Sequence, residues 1–120
     1  YSESTDGIHW KREGIVSVDY KNEKETRVSR ASVIKTKGIY RMWFCYAIGS
    51  GGYNMGYAES SDGYKFTRID EAAGIEKSET GWDSEMICYP HVFQHKDTTF
   101  MFYCGNGYGR SGFGYAALEA

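Results

Sequence analysis

Apolar positions along the middle of the chain come in short runs broken by turn residues. Nowhere do they keep the three-to-four spacing of a long amphipathic helix. Residues 32–35 read as a brief apolar strand, and "KTKG" after it as a turn in which Gly38 can take a positive φ. Residues 39–47, "IYRMWFCYA", read as a long strand rich in aromatics, followed by a glycine-rich turn over 49–52. Residues 53–59 form a third strand, "SSDG" a hairpin turn, and residues 64–69 a fourth strand.

This unit is repeated. "YSESTDGIHWKRE" opens the chain and "YAESSDGYKFTRI" begins at Tyr57, with Tyr1/Tyr57, Glu3/Glu59, Ser4/Ser60, Asp6/Asp62, Gly7/Gly63 and Arg12/Arg68 in register at an offset of 56. At an offset of 59, "ASVIKTKGIYRMWFCY" from Ala31 aligns with "PHVFQHKDTTFMFYCG" from Pro90, pairing Val33/Val92, Met42/Met101, Trp43/Phe102, Phe44/Tyr103 and Cys45/Cys104. "NMGYAES" then aligns with "GFGYAAL", Tyr57 against Tyr115 at offset 58. A period of this length with four antiparallel strands describes a β-propeller blade. The expected fold is all-β, built of antiparallel four-stranded blades: 1–26 ends one blade, 27–70 is a full blade, and 71–120 is most of the next. Nine strands cannot close a ring, so the partial propeller is expected to be an excised piece of a longer chain, which the missing initiator Met suggests, or to be completed by oligomerisation with strand exchange. A nine-stranded β-sandwich is the alternative architecture.

Composition agrees with this reading and removes other classes. Fifteen glycines against one proline, with 17% aromatic residues, fit many short strands and tight turns in 120 residues. A net charge of −2 with scattered Lys and Arg gives no nucleic-acid or membrane surface. No apolar stretch approaches the roughly 20 residues that span a bilayer, and no signal peptide is recognised, although an excised chain could have lost one. Cys45, Cys88 and Cys104 lack CxxC or Cys/His metal spacing and do not cluster with His9, His91 and His95. They read as buried free thiols, which favours a reducing, cytoplasmic setting, and no metal or cofactor is expected.

Most of the repeated polar residues have a structural reading. In "ES[ST]DG" the Asp-Gly pair signals a hairpin whose Ser and Asp side chains bond the backbone, with Trp10 and Phe66 folding back against the sheet. "GNGYGRSGFG", Gly105 to Gly114, joins two strands rather than a strand and a helix, so it reads as a flexible hairpin and not a nucleotide loop. Asn106 and Arg110 within it remain candidate ligand contacts.

"YRMWFCYA…YNMGYAESSDGYKF" and "SEMICYPHVFQHKDTTFMFYCGNGYGRSGFGYAALE" resemble the blades of five-bladed β-propeller glycosidases, the group of arabinanases, xylosidases, invertase-like enzymes and mannoside phosphorylases. The resemblance implies a carbohydrate ligand in an axial funnel, with carboxylates at the start of the innermost strands, one or two residues before a Pro. Pro90 marks such a strand, yet Cys88 and Tyr89 precede it, and Ser29 and Arg30 hold the equivalent places one blade earlier. That departure argues against hydrolysis by this chain alone. The nearest acids are Asp83 and Glu85 in "GWDSEMICYP", which point the same way if the segment is extended. Glu85 is the candidate general acid, with a solvated loop acid as the alternative, and Asp83 is a candidate sugar contact with a structural alternative. Arg30, Tyr89 and His91 are candidate ligand contacts at the inner-strand starts, the alternatives being an ion pair with a neighbouring blade for Arg30 and an ordinary packed histidine for His91. Two functions follow: a carbohydrate-active or carbohydrate-binding subunit of a glycosidase-like propeller, or a non-catalytic module that assembles from copies.

Overall fold

A computed structural model describes residues 1–119. Its nine strands are β1 (Ser2–Glu3), β2 (Lys11–Arg12), β3 (Glu25–Thr36), β4 (Ile39–Ile48), β5 (Asn54–Ser60), β6 (Thr67–Arg68), β7 (Cys88–His95), β8 (Thr98–Cys104) and β9 (Phe113–Ala117). They form three antiparallel sheets in chain order, β1-β2, then β3-β4-β5-β6, then β7-β8-β9. The two-four-three division of strands is the one the repeat predicts. Two short helical turns, Asp70–Ala72 and Asn106–Gly109, lie between strands.

The first strand of the central sheet runs much further than the four apolar residues that announced it, because pairing with β4 continues on both sides of a β-bulge. Ser29 pairs with Cys45 and Ser32 with Trp43, so Arg30 and Ala31 together oppose Phe44. β7 repeats the device: Cys88 pairs with Cys104 and His91 with Phe102, leaving Tyr89 and Pro90 opposite Tyr103. A bulge is one of the few places where a strand accepts proline. The last strand of the central sheet, in contrast, shrinks to two residues, since residues 61–66 are committed to a loop.

In that loop the Ser and Asp side chains bond the backbone, as the sequence indicates. Ser60 Oγ accepts from the Asp62 and Gly63 amides, while Asp62 Oδ1 accepts from the Tyr64 and Lys65 amides and from the Ser60 hydroxyl. Only Gly63 takes a positive φ, 80°, so the side chains rather than a tight backbone turn carry the reversal. Ser4 and Asp6 make the same set of bonds in the first copy. The two copies differ in what lies beneath. Phe66 packs on Met42, Phe44 and Ala58 of the central sheet, whereas Trp10 is 57% exposed, because β1-β2 has no inner strands for it to cover.

The core lies between the central and the three-stranded sheet, where Trp43, Met55 and Tyr57 meet Ile87, Val92, Met101 and Tyr103. β3 runs against β7, and two bonds cross there: the Val92 amide donates to Ser32 Oγ at 2.8 Å and the Tyr89 amide to Cys45 Sγ at 2.9 Å. All three cysteines are free, Cys45 and Cys88 buried and Cys104 half-buried. Burial, partly offset by the Tyr89 amide, pushes the Cys45 thiol up to about 12.

The far end of the central sheet is closed by charge. Arg68 on β6 takes both Glu25 carboxylate oxygens at 2.7 and 2.8 Å and Asp70 at 2.7 Å, with its guanidinium over the Phe44 and Tyr46 rings. Burial alone would raise the Glu25 carboxyl, but the Arg68 bonds and the Lys21 amide outweigh it and hold Glu25 below its usual 4.5. Replacing Arg68 by Met leaves a buried carboxylate uncompensated and should cost about 3 kcal/mol in urea unfolding. A group lowered in the folded state stabilises above its unfolded pKa and loses that contribution as pH falls through the folded value. The stability gap between the parent and Glu25→Gln should therefore be full at pH 6 and narrow steadily below about pH 4.5; a gap independent of pH would refute the ion pair's role.

Candidate functional site

The paired bulges in β3 and β7 place side chains in an unusual way. Arg30 and Tyr89, the first residue of each bulge, have φ of 55° and 56°. Glycine ordinarily holds that place, and another residue there costs about 1–3 kcal/mol. The two side chains meet, with the Arg30 guanidinium 5.1 Å from the centre of the Tyr89 ring. Together with Ala31, Ser32, Pro90 and His91 they line a groove of about 280 Å³ between β3 and β7. His91 is exposed there, its ring 5.7 Å from that of Phe93.

Arg27, Tyr53 and Tyr108, none of them in the sequence-based set, join this end of the molecule. Tyr53, Tyr89 and Tyr108 form a triangle with ring centres 6.0–6.2 Å apart. Arg27 lies over Tyr53 at 5.0 Å and donates to the Tyr108 hydroxyl at 3.3 Å. Tyr108 has φ of 59° and is 50% exposed. Its helical turn, Asn106–Gly109, is wound through left-handed Gly107 and Tyr108, within the connection of the expected β8-β9 hairpin. Burial first, then the nearby Cys88 and Tyr53, keeps the Tyr89 phenol protonated above its usual range. Tyr89 stood out by its place in the repeat, but nothing in the sequence announced that Tyr53 and Tyr108 would converge on it.

The remaining candidates lie apart from the groove. Asp83 is buried and accepts from the Tyr103 hydroxyl at 2.9 Å, while Glu85 is exposed. The segment is a turn, closed by the Ser84 hydroxyl on the Gly81 carbonyl, so the two acids do not share a face as an extended chain would have them. Asn106 binds this segment rather than an open surface: Oδ1 accepts from the Glu85 and Met86 amides, and Nδ2 donates to Gly81 O and Ser84 Oγ. Arg110 is exposed at the end of the same loop.

Chemically the groove offers one guanidinium, one phenol and an imidazole, and none of the residues lining it is a carboxylate. A glycosidase pair needs two carboxyl groups about 5–9.5 Å apart on opposite sides of a sugar bond. Among the described residues no group of three His, Cys, Asp or Glu side chains is placed to hold a metal ion. Larger cavities of about 360 and 440 Å³ are bordered mainly by apolar residues such as Trp43, the first reaching β9 and Glu119, the second including Arg41 and Glu59, which neutralise each other at 2.8 Å.

Comparison with known proteins follows the same lines. No family model matches the chain. The uncharacterized proteins MT1551 and Rv1502, from two strains of Mycobacterium tuberculosis, are each 43% identical to it over 119 residues, 99% of this chain and 39% of theirs. The chain thus spans well under half the length of the curated relatives it matches. Among solved structures, one named "Glycoside hydrolase" superposes with a TM-score of 0.78 at 21% identity, covering 99% of this chain and 35% of that one. A second, named as a complex of BT0996 and RGII, gives 0.77 at 22% identity, with the same two coverages. At these identities the likeness is one of fold: an almost all-β arrangement of antiparallel sheets that matches about a third of a glycoside-hydrolase structure.

The strain at the bulge has a direct check. Arg30→Gly and Arg30→Ala both remove the guanidinium from Tyr89, and only glycine accepts the backbone at no cost. The glycine variant should be the more stable by about 1 kcal/mol in chemical denaturation. Equal stabilities would mean that Arg30 is not held in the left-handed region.

Proposed function

We propose that this chain is part of a glycosidase-like β-propeller, its central and C-terminal sheets being neighbouring blades, and that it contributes carbohydrate-binding residues rather than a complete catalytic apparatus. The observation that carries this reading is the recurrence of one bulge, 59 residues apart, on two facing inner strands that open into a single groove. Bulges commonly re-aim side chains beside binding sites. Arg30, Tyr89 and His91 supply the mixture of aromatic surface and polar donors that a sugar needs. The fold likeness to a glycoside hydrolase agrees with it, and the lack of a carboxylate among the groove residues assigns any hydrolysis to acids outside that groove.

Titration of ¹⁵N-labelled protein with arabinan-, xylan- and mannan-derived oligosaccharides tests this directly. At least one should shift the amides of Arg30, Tyr89 and His91, and Tyr89→Ala should weaken its binding about tenfold, a loss of about 1.4 kcal/mol. The bound oligosaccharide should remain uncleaved. Shifts confined to other surfaces, or cleavage that survives the loss of these residues, would sink the proposal.

A second reading, assembly from copies, is favoured by the outer face of the three-stranded sheet. Trp43 and Tyr57 bury against the next sheet, but their repeat partners Phe102 and Tyr115 are 39% and 66% exposed, beside Phe113 at 73%. A second copy would cover this aromatic row with its own sheet, either stacked or by strand exchange along β9. Light scattering should then show a defined oligomer that Phe113→Ser with Tyr115→Ser dissociates. A monomer at high micromolar concentration would exclude this reading.

A further inference from the structure

We infer that the arginine–tyrosine cluster beside the groove is a subsite for an acidic sugar, one whose ring carries a covalently attached oxyanion. This deepens the carbohydrate reading above and rests on it. Five non-glycine residues in the described chain have positive φ. Lys37 and Lys96 sit in the two-residue turns β3-β4 and β7-β8, where such angles are routine. The other three, Arg30, Tyr89 and Tyr108, come from three separate segments and meet in one cluster. Strain gathered from distant parts of the chain into one place is a mark of a site held ready for a ligand.

The charge of the cluster gives the ligand's class. Among the described residues the salt bridges employ His9, Lys11, Arg41 and Arg68, and neither Arg27 nor Arg30 takes part in one. Arg27 is held by the Gly51 carbonyl and the Tyr108 hydroxyl, both neutral. Arg30 has the Tyr89 ring face as its contact and is otherwise exposed. The Arg30 guanidinium, without a carboxylate and kept in place by a phenol ring, leaves its forked donors for a carboxylate or phosphate oxygen pair, and Arg27, whose terminal nitrogens already donate to Tyr108 and Gly51, adds a second uncompensated positive charge to the cluster. The exposed half of Tyr108 provides a flat apolar surface next to them, backed by Tyr89 and Tyr53. Because the cations lie against the same tyrosines that would carry the ring, charge and ring belong on one molecule. A uronate carboxylate and a sugar phosphate ester share this chemistry.

The test is calorimetric titration of the purified protein with glucuronate, glucose 6-phosphate, glucose and inorganic phosphate, at low salt and in about 0.5 M NaCl, where screening is strong. Glucuronate or glucose 6-phosphate should bind about tenfold more tightly than glucose, as one charge-assisted hydrogen-bonded pair allows. High salt should erase that margin. Arg30→Ala and Arg27→Ala should each abolish it, whereas Arg30→Lys should restore part, and Tyr108→Ala should weaken both anions and glucose. Unfolding midpoints for every variant separate loss of the site from loss of the fold. Whichever anion binds more tightly identifies the oxyanion. Glucose binding as tightly as the anions would overturn this inference and leave the carbohydrate reading standing. Inorganic phosphate binding with no sugar bound would overturn both, as would the absence of any binding.

Discussion

Two hydrogen bonds decide how the larger sheets face each other. The bulge in β7 turns the Tyr89 amide out of its own ladder, and β7 is the edge of its sheet, so the Val92 amide also points away from β8. A buried amide without a partner costs about 1–3 kcal/mol, and both are satisfied from across the interface, by Cys45 Sγ and Ser32 Oγ. The thiol is suited to this because burial keeps it protonated and uncharged. These bonds fix the register of β7 against β3, bring Arg30 onto Tyr89, and set the spacing into which Trp43, Tyr57 and Met101 pack. Hydrophobic burial supplies most of the adhesion between the sheets, but it is indifferent to sliding by a residue. The two polar bonds are not.

How much of this was legible in the sequence follows from what each residue type can announce. Asp-Gly and the alternation of aromatics with small residues announce strands and reversals, and the 56- to 59-residue offsets announce that the same unit recurs. The division into two, four and three strands therefore came through. Pro90 hinted at something irregular in β7, since proline removes a ladder donor. Arg30 gave no such hint, because arginine has no preference for left-handed backbone and its conformation is imposed by the bulge and by the stack on Tyr89. Trp10 and Phe66 occupy equivalent places in sequence, yet one is exposed and the other packed. A repeat predicts local conformation and cannot predict what a neighbouring sheet will cover.

The candidate site was half visible for the same reason. Arg30, Tyr89 and His91 stand at matching points of two aligned strands, so alignment of the copies alone brings them to one end of the molecule. Arg27, Tyr53 and Tyr108 arrive from a strand, a turn and a glycine-rich loop, and only tertiary packing gathers them. Glu85 and Asp83 show the converse. Two acids in "WDSE" look like paired chemistry when the chain is taken as extended, but the turn there buries one against Tyr103 and leaves the other in solvent. Asn106, which in sequence has the look of a ligand contact, spends all of its hydrogen-bonding capacity holding that turn.

The arginines of the central sheet divide into two kinds. Arg68 on β6 is held by Glu25 of β3 and by Asp70, and its charge is spent on stability. Arg27 and Arg30 of β3 lie on tyrosines with no carboxylate of the described chain to neutralise them, in a protein whose net charge is negative. Cations stacked on aromatic faces stabilise a fold by only about 0.5–1 kcal/mol at exposed positions, less than the backbone strain that Arg30, Tyr89 and Tyr108 bring with them. Stability does not explain that arrangement. The ligand proposed above, with a flat ring face and negative charge, would use the Arg30 fork, the Arg27 charge and the phenol surfaces at once.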